Sequence, residues 1–325
     1  MKVFIASLLI LCVLLSGCAT KLQSQPISET RLLLDTICKI TVYGIEDKAI
    51  VSEALDLCAE YEALLSMTVE GSDVWRINHS GGTPVTVAQQ TAEIIAAGLE
   101  YGRLTDGLFD ITIGRLSALW DFTGQSGIPA RSEIETARQT VDYRQVVLDG
   151  YTVQLLNPEA WIDLGGIAKG YIADMIAEFL KERQVPAAII ALGGNIVAYG
   201  QKPDGSKWLI AVRKPFGEQS DRSGILKTDE ASIVSSGKYE RQFVENGVLY
   251  HHILNPNTGM PVGSDIDGAT ILSERSMDGD ALSTIVLLVG SQRAASILDA
   301  ARGFIGAVLV LDSGEILTLG EVDFS

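Results

Sequence analysis
The sequence predicts an α+β fold, a single large domain over residues 30–325 in which a mixed sheet carries flanking helices. Three observations predict it. Segments with helical spacing of apolar residues stand among hairpin-like strand runs without strict alternation, which argues against a doubly wound parallel sheet. No repeat recurs at a fixed period and no long linker divides the chain. With 47% hydrophobic residues, the chain can bury one large core.

The elements follow in order. Residues 31–43 read as one strand, rich in β-branched and apolar residues. From Lys48 to Ser66, Ala54, Leu55, Cys58, Tyr61, Leu64 and Leu65 keep helical spacing. A second helix over 88–104 ends at Thr105-Asp106-Gly107. The stretch 115–160 is irregular, with a short helix near 132–140 and strands at 145–149 and 152–156. A third helix spans 167–183, followed by strands at 187–192, 195–199, 208–213, 224–228, 232–236 and 248–254. Helices at 279–289 and 291–302 and strands at 306–311 and 315–318 complete the pattern.

Ahead of the domain, Lys2 and the apolar run Val3 to Leu15 form a signal segment, too short to span a bilayer as a mature helix. It leads to Leu15-Ser16-Gly17-Cys18, which resembles the bacterial lipobox. Residues 1–17 are read as a lipoprotein signal peptide, and residues 18–29 as lipidated Cys18 plus a flexible tether. Two acyl chains on Cys18 suffice for stable anchoring, so the expected location is the extracytoplasmic face of a bacterial membrane. Cys38 and Cys58 fall on a strand and on a helix face, and are expected as separate buried thiols. No CxxC or zinc-type His/Cys cluster exists. A net charge of −16 excludes a nucleic-acid partner.

Four segments carry chemistry. Asp163-Leu164-Gly165-Gly166-Ile167-Ala168-Lys169-Gly170 opens a helix, where free N–H groups, close backbone approach and Lys169 suit an anion. Close strand–helix packing would use the same glycines, and neither Walker A nor GxGxxG spacing is present. In Ser276-Met277-Asp278-Gly279-Asp280-Ala281-Leu282-Ser283-Thr284, Asp280 and Thr284 lie four apart on one helix face. A carboxylate and a hydroxyl there suit Mg²⁺, whereas helix capping by Asp278 or Asp280 would explain the acids alone. Ser235-Ser236-Gly237-Lys238-Tyr239-Glu240-Arg241 reads either as ligand contact or as an ordinary hairpin. Finally, His251-His252 precede Ile253-Leu254-Asn255-Pro256-Asn257-Thr258-Gly259-Met260-Pro261, a rigid turn beside a side chain that titrates near neutrality.

Together, in this order, these pieces resemble the ApbE family, the FAD:protein FMN transferases. The match runs from about residue 32 to 286 and includes Asp163 to Tyr171 with Ala173-Asp174, Ala191 to Asn195, Ser236-Gly237-x-Tyr239-Glu240-Arg241, His252 to Pro261 and Asp280 to Thr284. Upstream, Ser72-Asp73-x-x-x-Ile77-Asn78 and Asp106-Gly107-Leu108-Phe109-Asp110-x-Thr112-x-Gly114 also match. The resemblance implies cleavage of the FAD pyrophosphate, attachment of FMN to a threonine of a target protein through a phosphoester, and release of AMP. It implies His252 as the catalytic base and His251 as a structural neighbour. It places Mg²⁺ on Asp280, Thr284 and the backbone carbonyl of Gly166, and FAD contacts at Leu34, Leu108, Phe109, Asp110, Asp163, Lys169 and Leu254. Implied partners are FAD and target flavoproteins with a Ser/Thr-Gly-Ala-Thr segment, such as subunits of Rnf- or Nqr-type redox pumps.

Three positions depart from the family pattern. Met-Gly-Thr appears as Leu34-Asp35-Thr36, the usual aromatic two residues after Ser66 is Thr68, and Asp-Pro is Asn255-Pro256. None touches the expected base or metal ligands, although Thr68 removes a surface on which a ring would stack. Two other readings share much of this inventory. An FAD pyrophosphatase would put water in place of threonine, and a non-enzymatic FAD-binding lipoprotein would need neither base nor metal. Asp267-Gly268-Ala269-Thr270 resembles a flavinylation segment, but Asp267 replaces the expected Ser or Thr.

Overall fold
The computed structural model describes residues 25–120, 122, 127–218 and 220–325. The signal segment and Cys18 lie outside the described residues. In chain order the strands are β1 (Ile27–Leu33), β2 (Thr36–Tyr43), β3 (Val85–Thr86), β4 (Val146–Asp149), β5 (Thr152–Leu155), β6 (Ala187–Leu192), β7 (Asn195–Gly200), β8 (Trp208–Arg213), β9 (Arg222–Thr228), β10 (Ala231–Gly237), β11 (Gln242–Glu245), β12 (Val248–His251), β13 (Ile266–Ser273), β14 (Phe304–Leu311), β15 (Ile316–Gly320) and β16 (Asp323–Phe324). The helices are α1 (Ala49–Leu65), α2 (Asp73–Asn78), α3 (Gln89–Leu104), α4 (Gly114–Leu119), α5 (Arg131–Arg138), α6 (Ala168–Glu182), α7 (Ser276–Val289) and α8 (Ser291–Ala300).

An eight-stranded sheet in the order β1-β2-β6-β7-β10-β13-β14-β15 is the spine, and its named pairings are all antiparallel. Strand alternation divides its side chains between two faces. Ile40, Val42, Ile190, Leu192 and Val197 join the core that α1, α6 and α7 complete with Leu55, Ile176, Ala281 and Ile285. On the other face, Ala187, Ala198, Ile233, Leu272 and Val308 pack with Trp208, Val212 and Leu226 of the small sheet β16-β9-β8. The α+β domain with one large sheet and flanking helices is therefore the fold observed.

Three local differences have physical reasons. The strand expected over 31–43 is a hairpin, because Leu34 and Asp35 both adopt positive φ (54° and 53°) and reverse the chain. The strand expected to continue to residue 254 stops at His251, where the rigid turn begins. β1 begins at Ile27, within the stretch read as tether. Cys38 and Cys58 are free and fully buried, as expected, and their thiols contact each other between β2 and α1. Among the described residues, no helix is long and apolar enough to cross a membrane.

Candidate functional site
The glycine-rich segment is delivered by an extended stretch, Trp161–Asp163, that runs beside residues 111–114. Asp163 N donates to Ile111 O at 2.8 Å, and Gly114 N donates to Trp161 O at 3.0 Å. A Cβ at position 114 would stand 2.7 Å from that carbonyl, so this approach requires glycine. The chain then turns, with Asp163 Oδ1 accepting the Gly165 N–H at 2.8 Å, and enters α6. Lys169 reaches back over the turn, its Nζ donating to Gly165 O at 3.0 Å. The Phe109 ring lies against Gly166, where a Cβ would be 3.2 Å from Phe109 Cε2 and 3.9 Å from Thr284 Oγ1. Gly166, Phe109 and Thr284 thus meet, although more than a hundred residues separate Gly166 from Thr284.

The acids of α7 do not cap its first amides. The cap comes from α6, where the Asp174 carboxylate accepts the Ser276 N–H at 2.7 Å and the Met277 N–H at 3.0 Å. Burial pushes the Asp174 carboxyl up to about 6. Asp278 accepts a hydrogen bond from the Tyr101 hydroxyl at 2.8 Å. Asp280 is only 3% exposed, and its Oδ2 accepts the Gly170 N–H at 2.9 Å. That single bond orients the carboxylate beside Thr284, one helical turn further on, and leaves Oδ1 without a protein hydrogen bond among the described residues. These positions offer a carboxylate, a hydroxyl and the Gly166 backbone carbonyl, hard oxygen donors that fit Mg²⁺. Among the described residues no group of three or more His, Cys, Asp or Glu is placed to hold a metal, so carboxylate cages and zinc-type sites are not present there.

The two histidines have different surroundings. His251 is buried, its Nε2 3.2 Å from Val262 O, and its Nδ1 accepts the Ile253 N–H at 3.3 Å. With both ring nitrogens engaged, it holds the following turn. His252 stands one residue past the end of β12, and its N–H donates to Arg241 O at 3.0 Å. Its Nδ1 is buried with no hydrogen-bond partner among the described residues. Burial chiefly, then the Arg241, His251 and Lys169 charges, lowers the His252 pKa to about 4. The ring is therefore a neutral base at pH 7 with an unused lone pair or N–H.

Charges tie these segments together. Glu240, whose carboxyl is pushed up mainly by the surrounding protein, feels Lys169, Arg213, Arg241 and Asp280. A Cβ on Gly194 would be 3.7 Å from Glu240 Oε1, and one on Gly193 would be 2.7 Å from Thr36 Oγ1, which brings the β1–β2 turn to the same region. Leu34 sits in that turn, its N–H donating to Glu62 Oε1 at 3.0 Å. Leu108 is half-buried beside Phe109.

Two expected FAD contacts serve the framework through their side chains. Asp110 Oδ1 accepts from Thr112 N (2.8 Å) and Thr112 Oγ1 (2.6 Å), and Oδ2 accepts from Tyr143 N (2.8 Å), so the carboxylate is spent on its own loop. Leu254 is buried with Leu116, Trp120 and Ile134. Gly170 and Asp174 fix α7 and so place Asp280. Both stood inside matched motifs, but what they do depends on a helix a hundred residues downstream.

The ApbE family model matches residues 34–309. The FAD:protein FMN transferase of Klebsiella pneumoniae (strain 342) is 35% identical over 295 residues, covering 89% of this chain and 90% of the relative. That of Treponema pallidum (strain Nichols) is 30% identical, covering 89% and 86%. Among solved structures, the ApbE protein of Thermotoga maritima superposes with a TM-score of 0.82 at 33% identity, covering 90% of this chain and 96% of that one. The flavin transferase ApbE of Vibrio cholerae gives 0.80 at 25% identity, covering 91% and 96%.

Proposed function
This chain belongs to the ApbE family and is a flavin transferase of the FAD:protein FMN transferase class, and from that premise we propose that it moves FMN from FAD onto a threonine hydroxyl of a target flavoprotein. The observation that carries the finer reading is His252. It is a ring kept neutral by burial, with an unpartnered Nδ1, within reach of the Lys169 and Arg241 charges. A protein that only stored FAD would need no such base. The threonine oxygen attacks the phosphorus of the FMN half, the bond from that phosphorus to the bridging oxygen breaks, and AMP leaves with the bridging oxygen. His252 accepts the hydroxyl proton. Lys169, held over the glycine turn, offers positive charge to the pyrophosphate. Asp280, Thr284 and the Gly166 carbonyl would hold Mg²⁺, which when bound neutralises charge on the pyrophosphate oxygens. The proposed targets carry Ser/Thr-Gly-Ala-Thr segments, as in Rnf- or Nqr-type pump subunits, and the reaction runs at the extracytoplasmic face of the membrane to which Cys18 tethers the domain.

The test combines the protein with FAD, Mg²⁺ and a domain bearing the acceptor segment. A covalent fluorescent adduct and equimolar AMP are expected. His252→Ala should lower transfer by roughly 10²- to 10⁴-fold while FAD still binds. Wild-type transfer by His252→Ala would overturn the assignment of the base, and AMP with free FMN in place of adduct would make the enzyme a pyrophosphatase. Cys18→Ala should leave the protein in the soluble fraction; continued membrane fractionation would refute the anchor.

A further inference from the structure
The Ser72-Asp73-x-x-x-Ile77-Asn78 motif has no part in the chemistry above, yet its last residue touches the segment that carries the site. Asn78, 5% exposed at the end of α2, forms two hydrogen bonds to the backbone of one residue 84 positions away. Its Nδ2 donates to Ile162 O at 2.9 Å, and its Oδ1 accepts the Ile162 N–H at 2.6 Å. Ile162 precedes Asp163, whose carboxylate shapes the turn to Gly166. One side of the stretch 161–163 is held by backbone bonds to Ile111 and Gly114. Asn78 takes the place of a strand on the other side.

The helix that presents Asn78 is itself braced. Ser72 Oγ accepts the Trp75 N–H at 2.9 Å and caps α2. Asp73 Oδ2 accepts from Ala88 N (2.7 Å) and Thr91 Oγ1 (2.7 Å), fixing α2 to the start of α3. His79 stacks on Trp75 with ring centroids 4.2 Å apart and lies 5.5 Å from the Trp161 ring.

Resting on the transfer reading, we infer that Asn78 is a positioning residue of the reaction: through Ile162 it sets where Asp163 and the Gly166 carbonyl stand relative to Asp280 and Thr284. Removing it leaves a buried N–H and C=O of Ile162 unpaired and frees one side of the loop. A displacement on the order of 1 Å in such a loop is enough to lower turnover roughly 100-fold.

The experiment compares wild type with Asn78→Ala, Asn78→Asp and Ser72→Ala below their melting points. Ser72→Ala weakens α2 without removing a bond to Ile162 and serves as the control for destabilisation alone. Readouts are hydrogen exchange of residues 162–168, kcat and KM for FAD, and the Mg²⁺ concentration giving half-maximal rate. For Asn78→Ala we expect at least roughly 10-fold faster exchange, kcat lower by roughly 10- to 100-fold, and a raised Mg²⁺ requirement, with KM for FAD moving less. Asn78→Asp keeps the acceptor for Ile162 N–H and should fall between; it carries the test alone if Asn78→Ala does not fold. Wild-type exchange and kcat in a folded Asn78 variant would overturn the proposal, as would an equal loss of kcat in Ser72→Ala with wild-type exchange at residues 162–168. If wild type yields no adduct, the transfer reading fails, while hydrogen exchange still reports whether Asn78 holds the loop.

Discussion
Replacing His252 by a side chain that cannot titrate should change how the fold responds to acid. In the folded protein its pKa is lowered to about 4, against an ordinary 6.5, chiefly because the ring is buried. Between those values the unfolded chain binds the proton and the folded chain does not, so stability is fully present above pH 6.5 and is lost as pH falls towards 4. At about 1.4 kcal/mol per pH unit the full window is worth about 3 kcal/mol, an upper value for a half-buried ring that solvent partly screens. The wild-type curve alone will not show it. His251, also lowered to about 4 by burial, adds a loss of the same sign. Asp174 acts oppositely: its carboxyl is raised from 3.8 to about 6, so the folded state gains from protonation as pH falls through that range. The informative quantity is therefore the difference between His252→Asn and wild type, from urea unfolding followed by tryptophan fluorescence at pH 7, 6, 5 and 4. That difference should move in favour of the variant by up to about 3 kcal/mol between pH 7 and pH 4. In kinetics, the acid limb of wild-type kcat/KM should lie near 4. A difference that does not vary with pH, together with an acid limb near 6.5, would refute the buried neutral base.

Two further substitutions test the supports of the site. A Cβ at Gly170 would stand 2.2 Å from Ser276 O, where α6 meets α7, so Gly170→Ala should cost about 2–3 kcal/mol and raise the Mg²⁺ requirement by disturbing Asp280; thermal unfolding and metal titration of the rate check both. Asp35→Gly relieves a positive φ of 53° in the β1–β2 turn and should stabilise the fold by roughly 1 kcal/mol, or about 2 °C in Tm, and an unchanged or lower Tm would count against the strain.

What the sequence reveals here follows from how local each signal is. Helix α6 is legible because Ile172, Ile176 and Leu180 repeat on one face over its fifteen residues, enough turns for a period to show. Helices α2 and α4 have six residues each, less than two turns, and carry no readable period. The β1–β2 hairpin was hidden for a different reason. Its turn places Leu34 and Asp35 at positive φ, where the usual glycine or asparagine would have announced it.

The same logic sorts the site. That Asp280 and Thr284 share a face follows from a spacing of four. Whether a carboxylate is free for a ligand does not follow from spacing at all. Asp110 and Asp280 both stand in matched motifs, yet Asp110 gives both oxygens to Thr112 and Tyr143, while Asp280 gives one oxygen to Gly170. Asp174, from another helix, takes the amides at the start of α7 and so fixes the helix that carries Asp280. The reactive groups can thus be found from local pattern, but their availability is decided by residues such as Asp174 and Gly170 that do no chemistry. Substitutions at those supports should therefore weaken turnover without touching any group that meets the substrate.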